Sequence, residues 1–479
     1  MNKKKITLSI IIAALLVLII PVSVLVTTAA LPSCYKDSYY AELPAMYQGL
    51  KKAKGKKIVV IGNSNVAFGV NSAYLGQMLQ ESGQDYTVCN FGLYGAIGTK
   101  AMLELSEAEI KKDDIVLFAP EPYVQSMSNY FSGLEMWRCL DLDFSLYWPL
   151  AEKSAITGAY LSYSAEKFHF AKSGETMGNG VYAKASFDQN NDMTQAQRNY
   201  NILPAGYDEN TTVDFSKKIW DDDFAEYAKS YYERMKKKGA QMYFSFCPVN
   251  RRAALEQESL DDYYDRVSAD FGMPILGNPH QYLMDHEWFY DSNFHLNYSG
   301  MFARTIQLYT DLMISVFRQT PSWDYSLPEK PVPEQEDFGD GDNSDADKFT
   351  YVYSENYGGY LVDSVLPEAR NSTELTLPVV YGEEPIVGYS PTAIQGLSSL
   401  KKLIVQKNIR MLYNDSFHGC SSLREIYIRQ DDPNKIGTGY EVLNGTADCY
   451  FYVPKSALAK FYGHYAWGHL ADHIKGYEE

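Results

Sequence analysis

Short apolar runs bounded by polar turn-formers cut the first two-thirds of the chain into alternating strands and helices. Lys57–Ile61 is one such run, ended by Gly62-Asn63-Ser64-Asn65, and it predicts a buried strand. Ser72–Glu81 follows as a helix with Leu75, Met78 and Leu79 on one face, then Tyr86–Asn90 as a strand. Lys100–Lys111 is a helix with Met102, Leu105 and Ile110 apolar, and Asp114–Ala119 a third strand. This alternation argues for a parallel sheet covered by helices on both sides. The rhythm lapses over residues 124–200, rich in Tyr, Phe, Trp, Ser and Asn, which read as an insertion that caps or lines a site. It resumes at Trp220–Lys238, where Phe224, Tyr227, Tyr231 and Met235 recur at helical spacing as core packing. Gly239 ends that helix, as glycine does after helix C-termini. Strand Gln241–Cys247, helix Asp261–Phe271 and a closing helix Ser299–Arg318 complete the region.

Residues 321–348 combine Pro321, Pro328, Pro331 and Pro333 with an acidic run from Glu334 to Asp342, the composition of an extended, solvated linker. A repeat begins beyond it. Ile394-Gln-Gly-Leu-Ser-Ser-Leu-Lys-Lys-Leu-Ile-Val405 matches Phe417-His-Gly-Cys-Ser-Ser-Leu-Arg-Glu-Ile-Tyr-Ile428, with a period of 23 residues. Each copy offers one short strand that needs a neighbouring repeat to bury it. Leu375-Thr376-Leu377 reads as an earlier, irregular rung and Cys449–Val453 as a later one. Residues 370–475 resemble the BspA-like leucine-rich repeats of bacterial surface proteins, with Gly-Cys-Ser-Ser-Leu as the most specific element.

At the other end, Lys3, Lys4 and Lys5 precede an uncharged run from Ile6 to Leu31, long enough to cross a bilayer. Lysines on that side place the remainder outside the cytoplasm. The reading is a signal anchor in the cytoplasmic membrane. The alternative is a lipoprotein attached at Cys34, since Leu31-Pro32-Ser33-Cys34 loosely resembles a lipobox. The expected organisation is a stub and anchor over 1–34, an α/β domain over 35–320, a linker over 321–348 and a repeat domain over 349–479. A net charge of −17 excludes nonspecific nucleic-acid binding. Forty tyrosines suit wet binding surfaces such as those for glycans, or reflect a compositional habit of extracellular proteins. Six cysteines show no CxxC pair and no metal-ligand spacing; pairing of Cys420 with Cys449 stays open. Neither a metal nor a cofactor is expected, because no ligand cluster, phosphate loop or dinucleotide fingerprint occurs.

The candidate chemistry lies where the first strand stops. A strand ending at Gly62-Asn63-Ser64-Asn65 delivers a hydroxyl to the carboxyl edge of a parallel sheet. Asp291 and His295 stand just before the closing helix and make a candidate acid and base for that serine. These residues, with Asn90-Phe-Gly-Leu-Tyr-Gly95 after the second strand, make residues 56–318 resemble the SGNH (GDSL-like) hydrolase superfamily. The resemblance implies a flavodoxin-like parallel sheet flanked by helices. It also implies Ser64 as nucleophile, His295 as base, Asp291 as its orienter, and an oxyanion hole including the backbone N–H groups of Ser64 and Gly95. The chain departs from the family pattern in three places. Asn63 replaces an Asp, Ser292 lengthens the Asp–His spacing by one residue, and Glu121 stands where an oxyanion-binding Asn belongs. Asn63 or Asn65 is then the expected substitute donor.

The resemblance implies a membrane-anchored, outward-facing serine esterase or O-acyltransferase. Its partner would be a cell-envelope glycan or other acylated polymer, with acetyl the expected acyl group, and a protein ligand is possible for the repeats. Two alternatives remain open. One is a catalytically degenerate surface protein that binds as an adhesin through its repeats. The other is a purely structural envelope protein.

Overall fold

The computed structural model describes residues 23–24, 26–173, 177, 180–194, 198–203, 205–321, 326–331, 341–354, 358–439, 441–446, 448–462, 464–468 and 470–478. The expected anchor falls mostly on residues 1–22 and 25, and most of the acidic run on 332–340, both outside the described residues. No helix among the described residues is long and apolar enough to cross a membrane.

The first unit is an open α/β sheet. Its strands are β1 (Lys57–Gly62), β2 (Thr87–Gly92), β3 (Ile115–Ala119), β4 (Gln241–Ser245) and β5 (Ile275–Leu276), in the order β2-β1-β3-β4-β5. All of these pairings are parallel. Every residue of β1 and β3 is buried, as the unbroken apolar runs require when helices cover both faces. Ile58 and Val60 pack on one side with helices α1 (Ser64–Gly69), α2 (Ser72–Glu81) and α3 (Tyr298–Asp311); Val59 and Ile61 pack on the other. The second side carries helices Glu42–Lys52, Thr99–Glu107, Asp222–Lys238 and Leu260–Phe271. Helix Ser72–Glu81 has the expected bounds, and Gly239 caps its helix in the left-handed conformation at φ 81°. Helix Glu42–Lys52 was not foreseen. Residues 124–200 hold three helices (Gly133–Leu140, Lys153–Gly158, Tyr160–Ser173) and no named strand among the described residues. Cys34 is buried in this core and its backbone carbonyl accepts from Met177 N–H at 2.9 Å; burial pushes its thiol up to about 12.

The second unit has its own core, from Phe349 to Ile474. Strands β6 (Glu374–Thr376), β7 (Lys402–Val405), β8 (Glu425–Ile428), β9 (Tyr450–Pro454) and β10 (Ile474–Tyr477) stack in chain order as one parallel sheet. The register places Lys402 against Glu425 and Leu403 against Ile426, the same 23-residue offset the sequence shows. Leu403, Ile426 and Phe451 occupy equivalent inward positions and are fully buried. A four-stranded sheet of Phe349–Ser354, Gly359–Val365, Val380–Tyr381 and Glu384–Tyr389, with β6 lying between its second and third strands in the chain, was not foreseen. Cys420 and Cys449 are both buried free thiols.

The two units touch. Arg410 Nη1 donates to Tyr200 Oη at 3.1 Å, and residues of both units line shared cavities.

Candidate active site

β1 ends against the carboxyl end of β3, and two glycines allow the close approach. A Cβ at Gly62 would lie 2.5 Å from the Ala119 carbonyl oxygen; one at Gly92 would lie 2.4 Å from Val66 Cβ. Asn63 is the residue before α1, and Ser64 opens that helix. Ser64 is nearly buried and lines a cavity of about 610 Å3 at this edge. His295, Gly95 and Glu121 line the same cavity.

The lengthened Asp–His spacing closes a tight loop. Tyr290 N–H donates to the His295 carbonyl at 2.8 Å, Asn297 N–H to the Trp288 carbonyl at 2.9 Å, and Ser292 Oγ accepts from His295 N–H at 3.1 Å. Ser292 thus fills the turn, and Asp291 Oδ1 lies 2.8 Å from His295 Nδ1. A carboxylate on Nδ1 keeps the proton there and leaves Nε2 to accept another. Asn297 caps α3 by accepting from Gly300 N–H at 2.9 Å, the helix-capping role expected for it.

Two side chains unmarked in the sequence hold the pair. Tyr182, from the 124–200 insertion, donates to Asp291 Oδ2 at 2.5 Å. Burial and the Asp291 charge push the Tyr182 phenol well above its ordinary value, so it stays a donor. Phe68 stacks on the His295 ring with centroids 4.1 Å apart and planes 9° from parallel. Its place four residues after Ser64 on one helix was the available signal. Under Phe68 lies Arg198, fully buried, with its guanidinium carbon 5.6 Å from the ring centroid and Nη1 donating to the Phe68 and Leu296 carbonyls. Burial lowers Arg198 to about 10.

The serine itself is not bonded to the histidine. Ser64 Oγ donates to Glu121 Oε1 at 2.8 Å, and Asn65 N–H donates to the same oxygen at 2.9 Å. Glu121 Oε2 accepts from Ser126 Oγ at 3.3 Å. Glu121 therefore sits in the corner between Ser64 and Gly95 where an oxyanion would form. Asn63 and Asn65, the expected substitute donors, direct their side-chain amides to other partners. Asn63 Nδ2 donates to Thr99 Oγ1 at 2.8 Å and Asn65 Nδ2 to the Ala119 carbonyl at 2.9 Å. Both are buried beneath the cavity and neither lines it.

Fold and site together define a class of arrangement: a serine and a carboxylate-held histidine sharing one cavity at the carboxyl edge of a parallel sheet. No protein-family model matches the chain, and no curated protein matches it. Among solved structures it is similar to a leucine-rich-repeat protein of T. pallidum, at 17% identity over 23% of this chain and 69% of that one. The TM-score is 0.17, too low to carry an argument.

Proposed function

We propose that the first unit is an SGNH-type serine esterase or O-acyltransferase. The observation that carries this reading is the cavity shared by Ser64 and His295, with Asp291 on the far nitrogen of the imidazole. In the reaction, the Ser64 hydroxyl turns from Glu121 to His295 Nε2, gives up its proton there and attacks an ester carbonyl. His295 returns the proton to the leaving alcohol as the acyl-serine forms. Water or a sugar hydroxyl then resolves that intermediate, giving hydrolysis or transfer. The backbone N–H groups of Ser64 and Gly95 are the oxyanion donors on this reading, and Glu121 has to move away or act as ligand-binding group.

The uncharged N-terminal run and the lysines before it support a tether with both units outside the cytoplasm. The burial of Cys34 favours the anchor over lipidation. The parallel stack β6–β10 and its 23-residue register support a leucine-rich-repeat solenoid. An acylated cell-envelope glycan is the proposed substrate. Glu121 beside Ser64 favours a second reading, a degenerate scaffold in a surface-binding protein, because a carboxylate there repels an oxyanion.

Labelling by a fluorescent phosphonate separates the two. The ester-processing reading expects labelling of the wild type that is lost in Ser64→Ala and His295→Ala. A folded wild type that never labels supports the degenerate scaffold.

A further inference from the structure

The Ser64 cavity belongs to both units. Asn414 and Glu441, from the second unit, line it alongside Ser64 and His295. They are fixed to each other: Glu441 N–H donates to Asn414 Oδ1 at 2.9 Å, and the Glu441 carbonyl accepts from Asp415 N–H at 3.2 Å.

The lining is unbalanced in charge. Glu121, Glu135 and Glu441 contribute carboxylates, and His295 is the one basic side chain among the lining residues. Glu135 is neutralised by Arg138, whose Nη1 lies 2.9 Å from Oε1. Glu121 is 6% exposed, accepts only from hydroxyl and backbone donors, and makes no ion pair among the described residues. Its Oε2 retains lone-pair capacity, since the Ser126 contact is long. Glu441 is exposed at the rim and likewise forms no ion pair with a described residue. Five of the remaining lining residues are tyrosines. A carboxylate buried without a counter-charge is costly, and ring faces attract cations. Both features are complementary to one kind of ligand.

We infer that this is a composite site in which Glu121 and Glu441 select a ligand carrying a cationic ammonium group, the second unit supplying one of the two carboxylates. Calling that ligand a substrate rests on the ester-processing reading; the recognition is a binding event that stands without it. The cation sits against Glu121 Oε2 and the lining tyrosines, which draws Glu121 away from Ser64 and frees the hydroxyl for His295.

The test compares choline with its uncharged isostere 3,3-dimethylbutan-1-ol on the full chain by calorimetry, and the acetate esters of both by hydrolysis rate. The expected result is binding of choline about tenfold tighter than the neutral alcohol. That preference shrinks severalfold in Glu441→Gln, a rim residue whose replacement leaves the fold intact, and in Glu121→Gln. Equal affinity for the two alcohols overturns the inference, as does an unchanged preference in Glu441→Gln. Choline preference without hydrolysis of either ester upholds the inference and counts against the ester-processing reading. Hydrolysis of both esters at equal kcat/KM with equal affinities does the reverse.

Discussion

In the first unit β1 is buried on both faces along its whole length, whereas in the second β8 and β9 alternate buried with half-buried residues. A strand with two covered faces presents polar groups only at its ends, and one end of β1 leads into Ser64 beside Glu121. A strand with one free face presents a surface instead. Tyr427 and Tyr452 stack there at 4.8 Å, and Tyr477 packs edge-on to Tyr427 at 5.4 Å. Both sheets are parallel, and what separates them is how many faces are covered. The first makes a cleft and the second makes a face, and the two turns carrying Asn414 and Glu441 bring the second to the mouth of the first.

The largest effect that would break this contrast lies at the sheet edge. On the proposed mechanism, Ser64→Ala and His295→Ala should each lower ester turnover by about 10⁶-fold, because nucleophile and base act as a unit. Asp291→Asn should cost on the order of 10³- to 10⁴-fold by holding the imidazole in the wrong tautomer. Tyr182→Phe, which removes one hydrogen bond to Asp291, should cost only about 3- to 10-fold. Turnover of a chromogenic ester by each purified variant ranks them, and a ranking with Tyr182→Phe worst would contradict the assigned roles.

Glu121→Gln sharpens the comparison in the other direction. Replacing a carboxylate by an amide removes repulsion at the oxyanion corner and offers an N–H donor, so turnover of a neutral ester should rise about tenfold. A fall would make Glu121 a working base for Ser64.

Stability should also differ between the units. Leu403→Ala opens a hole in the one-sided core of the repeats and should cost about 2–5 kcal/mol, read from urea unfolding. The pH responses have opposite signs. Glu42, in the first unit, is held up to about 7 by burial, which outweighs the pull of its partner Lys184. Its folded form binds a proton more tightly than the unfolded chain, so its contribution is full below about 4.5 and is lost as pH rises through about 7. His464, in the second unit, is held down to about 4 by burial. Its contribution is full above about 6.5 and is lost as pH falls through about 4. Urea midpoints across this range should show Glu42→Gln flattening the alkaline-side decline, the smallest effect in the series.

The parts of this fold legible in the sequence are those set by local periodicity. Helix Ser72–Glu81 repeats its apolar residues on one face, and the strands at Lys402 and Glu425 repeat each other outright. Ser64, Asp291 and His295 were legible because each sits beside a recognisable boundary of strand or helix. Tyr182 was not, because its role arises from packing between segments far apart in the chain, and Phe68 left only its helical spacing from Ser64 as a sign. The use of Asn63 and Asn65 as buried struts was hidden for the same reason: their partners Thr99 and Ala119 belong to other elements. The four-stranded sheet between Phe349 and Tyr389 went unread, since its pairings join strands separated in the chain by β6 and carry register shifts near Thr350 and Tyr360.

The most direct test of the central claim is trapping of the acyl intermediate. The protein would be mixed with an activated acetate ester, quenched with acid within a turnover and mapped by peptide mass spectrometry. The account predicts one acetyl group, on the peptide bearing Ser64, absent from Ser64→Ala and accumulating more slowly in Asp291→Asn. A folded protein that turns the ester over yet carries no acyl group on Ser64, or carries it equally in Ser64→Ala, would contradict it.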